Sequence, residues 1–575
     1  MPELRGSGKL VQTDVLIIGG GIAGLWAAIR ARAFADRVLV ADKGPRDWGG
    51  LASLAGGDMI VVLPEDSMDA FMDDLVYYYE GLCEQDLVRE IFTKTFDRFE
   101  DYERLGHRFA RTEEGRLKGV PQRGLKNIRL YLSRPFGEGG INMVRAVVRE
   151  VERLGVRRQG RIMITDILKE GGAVAGAVGF DTVSGEFYVI KAGAVILTTG
   201  VSGWKTSYGK STTTGEGIFM AMRAGADVRN FEFMKVWNVP RHFAWEGQTS
   251  LLPLGAKFVN AKGEYFMDRY SPKLGVNTDP HYVVRAMAIE ALEGRGPFYL
   301  DCTRMDRENI ELMKPSVGWM GVNYRRLKDL GMSFFDQKLE WMPQLNEPLG
   351  GVIADVHGAT GVPGLFAAGT ARNIEAGVYI GGLHLATTAV TGYIAGETAA
   401  AYAGRNATPG ICLDRVELLK HRLYEPLGRQ GIPPKEVLRE VQEAFFPYDV
   451  SILKNEKSLK RALGKILRIR HELLPQMGAG EPHYLMKLLE VRSMTRITEL
   501  ILRSSLMRQE SRAGHFRADY PERNNRDWLC WITARLDKDE EYEFQRRPVP
   551  VETYPITPAR YYSENFTYPD VSHVL

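Results

Sequence analysis

The stretch Val15-Leu16-Ile17-Ile18-Gly19-Gly20-Gly21-Ile22-Ala23-Gly24-Leu25-Trp26-Ala27-Ala28-Ile29-Arg30 decides the fold. Val15 to Ile18 form a short, mostly β-branched run, and the residues after the glycines have helix composition. Gly19, Gly21 and Gly24 fit G-x-G-x-x-G: the first allows a tight turn, the second lets a pyrophosphate approach the backbone, and the third lets helix pack on strand. The helix start then turns its unpaired N–H groups to the phosphates. A second run, Arg37-Val38-Leu39-Val40-Ala41, ends at Asp42, where a carboxylate accepts the ribose hydroxyls. Strand, glycine turn, helix and terminal acid together predict a dinucleotide-binding α/β domain.

Composition narrows what that domain belongs to. The chain has 575 residues, 75 basic and 72 acidic side chains, and a formal net charge of +3. Such a length implies several domains around a large core and excludes a small binding module. The balanced charge gives nucleic-acid binding no electrostatic support. Cys83, Cys302, Cys412 and Cys530 lie far apart without a C-x-x-C pair, which excludes a disulfide framework and leaves no signature of a metal or iron–sulfur site. No apolar stretch reaches the ~20 residues that span a bilayer. The polar opening M-P-E-L-R-G-S-G-K-L lacks a signal-peptide core, so a cytoplasmic protein is expected, peripheral to a membrane only through a partner.

Four further blocks bear on the cofactor: W-G-G-L-A-S-L-A-G-G-D (48–58), I-L-T-T-G (196–200), T-T-G-E-G (213–217) and G-L-F-A-A-G (364–369). In this order and spacing they resemble the FAD subunits of the succinate dehydrogenase and fumarate reductase family, which includes L-aspartate oxidase and the adenylylsulfate reductase alpha subunit. R-Q-E-S-R-A-G-H-F-R-A-D-Y-P-E-R (508–523) resembles that family's C-terminal motif, so the likeness runs nearly end to end. It implies an α/β fold in which a Rossmann-like FAD-binding domain (1–240 and 346–412) is interrupted by an α+β capping domain (241–345). A helical domain (413–520) and a C-terminal tail (521–575) follow.

A flavin needs glycine-lined backbone approaches from separate parts of the chain. Gly49, Gly50, Gly56, Gly57, Gly215, Gly217, Gly369, Gly381 and Gly382 supply them, and Gly200 joins the cofactor contacts. With these, the resemblance implies FAD contacts from Ile22, Ala23, Lys43, Asp58, Ile162, Thr199, Thr214, Glu216, Thr370, His384 and Leu385. Gly381-Gly382 turn into an Ala/Thr-rich helix whose positive end suits charge at the N1/C2 side of a reduced flavin. Phe258 to Met267 read as a hairpin, and Y-V-V-R-A-M-A-I-E-A-L-E-G as a helix stopped by glycine. The basic segment from Lys454 to His471 reads as a solvated face or a docking face.

Two departures from the family matter. Its covalent flavin histidine falls at Gly50, so FAD is expected to be non-covalent. Its four substrate residues fall at Trp237, His281, Asn346 and Tyr379, none of them arginine. Arginine pairs bidentately with carboxylates, so an aromatic, less cationic wall predicts a bulky, flat or mono-anionic substrate in place of a dicarboxylate. His281, Tyr379, His384 and His242 are candidate acids for the proton that accompanies hydride transfer. Short stretches also resemble the adenylylsulfate reductase branch, which would turn Glu138 and Arg241 into the pocket.

The leading function is an FAD oxidoreductase that binds a small-molecule substrate and exchanges electrons with a separate iron–sulfur, ferredoxin-like protein. The alternatives are an adenylylsulfate-reductase-like alpha subunit, a fumarate reductase, succinate dehydrogenase or flavin oxidase with an unorthodox site, and a non-catalytic electron-transfer flavoprotein, and the oligomeric state stays open. Acid precipitation of the flavoprotein should leave a colourless pellet and a yellow supernatant; a yellow pellet would show a covalent link.

Overall fold

The computed structural model describes residues 8–46, 50–134, 139–205, 212–242, 252, 255–312, 327–333, 335–571, 573 and 575. β1 (Lys9–Ile18) is the sheet's inner strand: Val15, Leu16 and Ile17 are wholly buried, as expected where both faces of a parallel sheet are covered. α1 (Ile22–Arg32) returns over it to β2 (Val38–Ala41), which pairs parallel with β1. β3 (Arg157–Gln159) extends that edge in parallel. β4 (Ile162–Glu170), β5 (Ala173–Asp181) and β6 (Phe187–Leu197) form an antiparallel meander whose last strand lies parallel to β1. The strand order is β3-β2-β1-β6-β5-β4.

After α2 (Glu216–Ala224) the chain leaves through β7 (Met234–Pro240). It builds β8 (Lys257–Val259), α3 (Pro280–Leu292) and β9 (Phe298–Asp301), and returns through β10 (Leu339–Pro348). These strands make one antiparallel sheet in the order β7-β10-β9-β8. The cap is thus entered and left through paired strands; the boundary drawn at 240 coincides with the end of β7, and that at 345 lies within β10. The turn at Asn260–Glu264 forms as expected, with Gly263 N–H donating to the Asn260 carbonyl at 3.0 Å. The return arm, however, is a short helix (Met267–Tyr270), and β8 pairs with β9 instead. Met267 and Tyr270 are both buried at helical, not strand, spacing.

β11 (Leu365–Ala367) closes on the end of β6, and α4 (Leu383–Arg405) packs against α1. A Cβ on Gly392 would fall on the Ala23 carbonyl oxygen, and one on Gly396 on that of Ala27. The two helices therefore run parallel with their backbones in contact. The helical domain carries α5 (Glu456–Arg468) and the long, largely buried α6 (Pro482–Met507). The tail then straps the molecule. Tyr562 Oη donates to the Arg123 carbonyl at 2.8 Å and accepts from Asp279 N–H at 3.2 Å, and Phe566 stacks on Tyr282 at 3.8 Å.

Lys454 departs from the solvated reading of its segment. It is 2% exposed, and Nζ reaches the Glu232 carbonyl at 2.7 Å, Ser505 Oγ at 3.2 Å and His515 Nδ1 at 3.1 Å. Burial pulls its pKa down to about 7, against the opposing charge of Glu232 and with help from Arg517, Arg285 and Arg508. The unfolded chain, with an ordinary lysine near 10.5, then holds more protons than the folded one between about pH 7 and 10. Stability from this residue should rise with pH across that window. Thermal unfolding of wild type and Lys454→Met at pH 7 to 10 should show the difference in Tm moving in favour of wild type as pH increases.

Candidate functional site

The cofactor end is made of backbone. Gly19, at φ +109°, turns the chain from β1 to α1, and a Cβ there would stand 2.5 Å from the Thr198 carbonyl oxygen. A Cβ on Gly24 would collide with the Gly19 carbonyl, so the turn and the first helical residues, Ile22 and Ala23, close tightly. Gly50, at φ +62°, approaches Gly21, and Gly369, at φ +64°, faces Ala23 with 2.6 Å to the position a Cβ would take. Gly200, at φ +71°, sits by Thr213 and Thr370. Blocks remote in sequence thus meet around the start of α1.

Three helices begin there on glycine without a side-chain cap: α1 at Gly21, α2 at Gly215 and α4 at Gly382. Their first N–H groups and positive ends suit a phosphate or a reduced flavin. Because Gly392 lies against Ala23, α4 starts about eight residues, or ~12 Å, further out than α1. That offset matches a cofactor whose phosphates and ring are separated by a ribityl chain. Thr199 Oγ1, Thr213 Oγ1 and Ser202 Oγ are buried with no protein partner at the same end. The residues present therefore fit FAD.

Around this cradle, Asp42 accepts from Gly20 N–H at 2.5 Å and Gly44 N–H at 2.6 Å, and its carbonyl accepts from Ile162 N–H at 2.8 Å. Lys43 is occupied otherwise: Nζ contacts Thr214 Oγ1 at 2.7 Å, Glu216 Oε1 at 2.6 Å and Glu490 Oε1 at 2.9 Å, tying β2 to α2 and α6. Gly56 neighbours the Asp58 carboxylate, and Gly57 packs on Gly139. Burial pushes the Asp58 pKa up to about 6, partly offset by the Ser133 N–H it accepts at 3.0 Å. Gly382, at φ +86°, leaves no room for a Cβ beside Leu130, and Leu385 is buried one turn on. Gly49 and Glu138 lie outside the described residues.

Beyond Gly382 stands the second part of the site. Trp237 on β7 meets Tyr379 edge-on, ring centroids 5.6 Å apart, and Tyr379 lies 4.7 Å from the His384 ring. His384 Nε2 bonds Glu375 Oε2 at 2.8 Å, and Glu375 is buried. Asn346 occupies a bulge in β10, where Lys235 pairs with Glu347 but Val236 with Leu345. Bulges re-aim side chains beside active sites. Asn346 Oδ1 and Trp237 Nε1 are buried with no partner.

His281 and Arg241 are placed differently. His281 is 1% exposed and spends both ring nitrogens on the protein, Nδ1 on Asp279 at 2.5 Å and Nε2 on the Met234 carbonyl at 3.0 Å. It offers no atom to a substrate. Arg241 and His242 lie at the surface, each 3.1 Å from the Glu340 carboxylate.

Two cations escaped the reading of the sequence. Lys235 Nζ stands 3.8 Å over the Tyr379 ring and 3.4 Å from Glu347. Arg123 pairs with Asp279 and donates to the Tyr379 carbonyl at 2.8 Å. Alternation along β7 was signal enough for Lys235, two residues before Trp237 and on its face. The turn around Arg123 carried none. Gly382→Ala should place a methyl against Leu130 and halve, or worse, the FAD content of purified protein; flavin absorbance per chain checks it.

Residues 14–382 match the family described as FAD binding domain, and residues 439–562 that described as fumarate reductase flavoprotein C-term. The chain is 30% identical over 538 residues to a chain of the fumarate reductase (CoM/CoB) of Methanothermobacter marburgensis, covering 89% of this chain and 95% of that one. An E. coli quinol fumarate reductase superposes with a TM-score of 0.86 at 22% identity, over 96% of this chain and 99% of the other. The adenylylsulfate reductase of Archaeoglobus fulgidus gives 0.79 at 22%, over 94% and 96%. With the uncapped helix ends and glycine cradle where a flavin would lie, these likenesses make the chain a member of the fumarate reductase and succinate dehydrogenase flavoprotein family, an FAD-dependent oxidoreductase.

Proposed function

We propose that this flavoprotein transfers hydride between FAD and a flat substrate carrying one anionic group, with His384 handling the proton and a separate iron–sulfur protein exchanging the electrons. Bound FAD supplies hydride donation or acceptance at N5. The observation that carries the reading is the His384–Glu375 pair at the start of α4. Glu375 takes Nε2 and so orients the ring, leaving Nδ1 to take up or deliver a proton. Tyr379 and Trp237 wall the space beside it and give a planar substrate a face to lie on.

Charge supports a mono-anion over a dicarboxylate. The two cations beside the aromatic wall, Arg123 and Lys235, already face Asp279 and Glu347. Two incoming carboxylates would leave the site strongly negative. An adenylylsulfate-reductase-like site would draw on Arg241, whose side chain is 57% exposed and paired with Glu340.

The family likeness supports a separate electron partner. Among the described residues no cluster of His, Cys, Asp or Glu could bind a metal, and no helix is long and apolar enough to cross a membrane. A cytoplasmic complex, peripheral to a membrane through its partner, accommodates both.

The test is anaerobic stopped flow. Flavin reduced in the holoprotein is mixed with fumarate, adenylylsulfate or 3-phenylpropenoate, and reoxidation is followed. The enoate should reoxidise it at least 100-fold faster than fumarate, and His384→Asn should slow that step about 10²–10⁴-fold when rates are compared per bound flavin. Fumarate at a comparable rate would sink the reading.

A further inference from the structure

We propose that Arg123 is the substrate's anion-binding residue and that the substrate class is a monocarboxylate whose planar body rests on Trp237 and Tyr379. The inference rests on the reading of this pocket as a substrate site and names what it holds there.

Arg123 is 7% exposed and adopts φ +48°, a left-handed backbone that residues other than glycine rarely keep without a constraint. Its neighbours supply that constraint. Nη1 donates to the Tyr379 carbonyl at 2.8 Å and Tyr78 Oη at 3.2 Å and pairs with Asp279, while the Arg123 carbonyl is held by Tyr562. All these side-chain bonds use one nitrogen. Nη2 lies 3.4 Å from where a Cβ on Gly381 would stand, at the entry to α4, and among the described residues no hydrogen-bond partner meets it. The guanidinium is thus anchored through Nη1 and brings Nη2 beside the turn into α4, where a carboxylate would take a charge-assisted hydrogen bond.

Two more donors lie next to it. The Trp237 ring is 5.8 Å from the guanidinium carbon and 5.0 Å from Lys235 Nζ, and its Nε1–H is buried without a partner. An unpaired buried donor is costly until a ligand accepts from it. The acids that face this group are Asp279, shared among Arg123, Tyr78 and His281, and Glu347 beside Lys235. They offset the resident cations, so the donors suit one carboxylate and not two. Burial lowers the Arg123 pKa, but Asp279 and Tyr78 outweigh it and hold the pKa above its ordinary value, so the charge is permanent.

The experiment is a binding titration of the oxidised holoprotein, read as perturbation of the flavin absorption spectrum and independent of turnover. Wild type should bind 3-phenylpropenoate at least 30-fold more tightly than 3-phenylpropenamide, which has the same body without the charge. Arg123→Gln should weaken binding of the acid about 100-fold and leave the amide nearly unchanged, and Arg123→Lys should recover part of the loss. Equal response to acid and amide, no response to either, or wild-type affinity in Arg123→Gln overturns the assignment. The comparison of acid with amide needs no variant, so an Arg123→Gln protein that fails to fold does not spare the idea. Acid-selective binding that depends on Arg123, in a protein whose reduced flavin no enoate reoxidises, would uphold this inference and defeat the hydride-transfer reading.

Discussion

The backbone contact between α1 and α4 governs the rest of the molecule. Gly392 and Gly396 let α4 lie directly on the Ala23 and Ala27 carbonyls, closer than any side chain would permit. That contact fixes the axial offset of the two helices, and so the distance between two positive ends suited to phosphates and to a flavin ring. It also sets where the turn from Tyr379 to Gly382 stands, and Arg123, Trp237 and His384 are all placed against that turn. A larger residue at either glycine would shift both ends of the cofactor cradle and the substrate wall together.

A second layer of order comes from buried polar pairs. Asp279 is the hub on the cap side, accepting from Arg123, Tyr78 and His281. Burial would raise its pKa, but the neighbouring Arg123 and His281 outweigh that effect and bring it down to about 2. Glu375 plays the corresponding part for His384 on the flavin side. Breaking one member of such a pair strands the other charge, which is more costly than never having built it. Arg123 of the first pair bonds the Tyr379 carbonyl and His384 of the second lies against its ring, so both parts of Tyr379 are contacted.

What was legible in the sequence follows from which atoms do the work. Gly19, Gly24, Gly369 and Gly382 were readable because each sits where backbone geometry admits no other residue. The wall was harder. Counting from neighbouring blocks picks out Trp237 and Tyr379, whose rings do meet, but it groups His281 with them although its two nitrogens are consumed by Asp279 and Met234. Arg123 belongs to a turn with no periodic pattern, so nothing in its spacing marks it. Lys454 opens a basic run and looks solvated, yet its N–H and carbonyl bond Phe516 and Ala518 and draw it inside. Local composition reports how often a residue type is exposed; it does not report which distant strand will cover it.

The strap formed by the tail has a consequence for biosynthesis. Tyr562 holds the Arg123 carbonyl across a separation of 439 residues. At ribosomal rates of about 5–20 residues per second, Arg123 emerges roughly 20–90 s before the residue that secures its backbone. The glycine turns around α1 and α4 are complete once Arg405 is made, whereas the backbone of Arg123 gains its hydrogen bond only after Tyr562 follows. A nascent chain can therefore pack the two helices long before the left-handed turn at Arg123 is held by its distant partner.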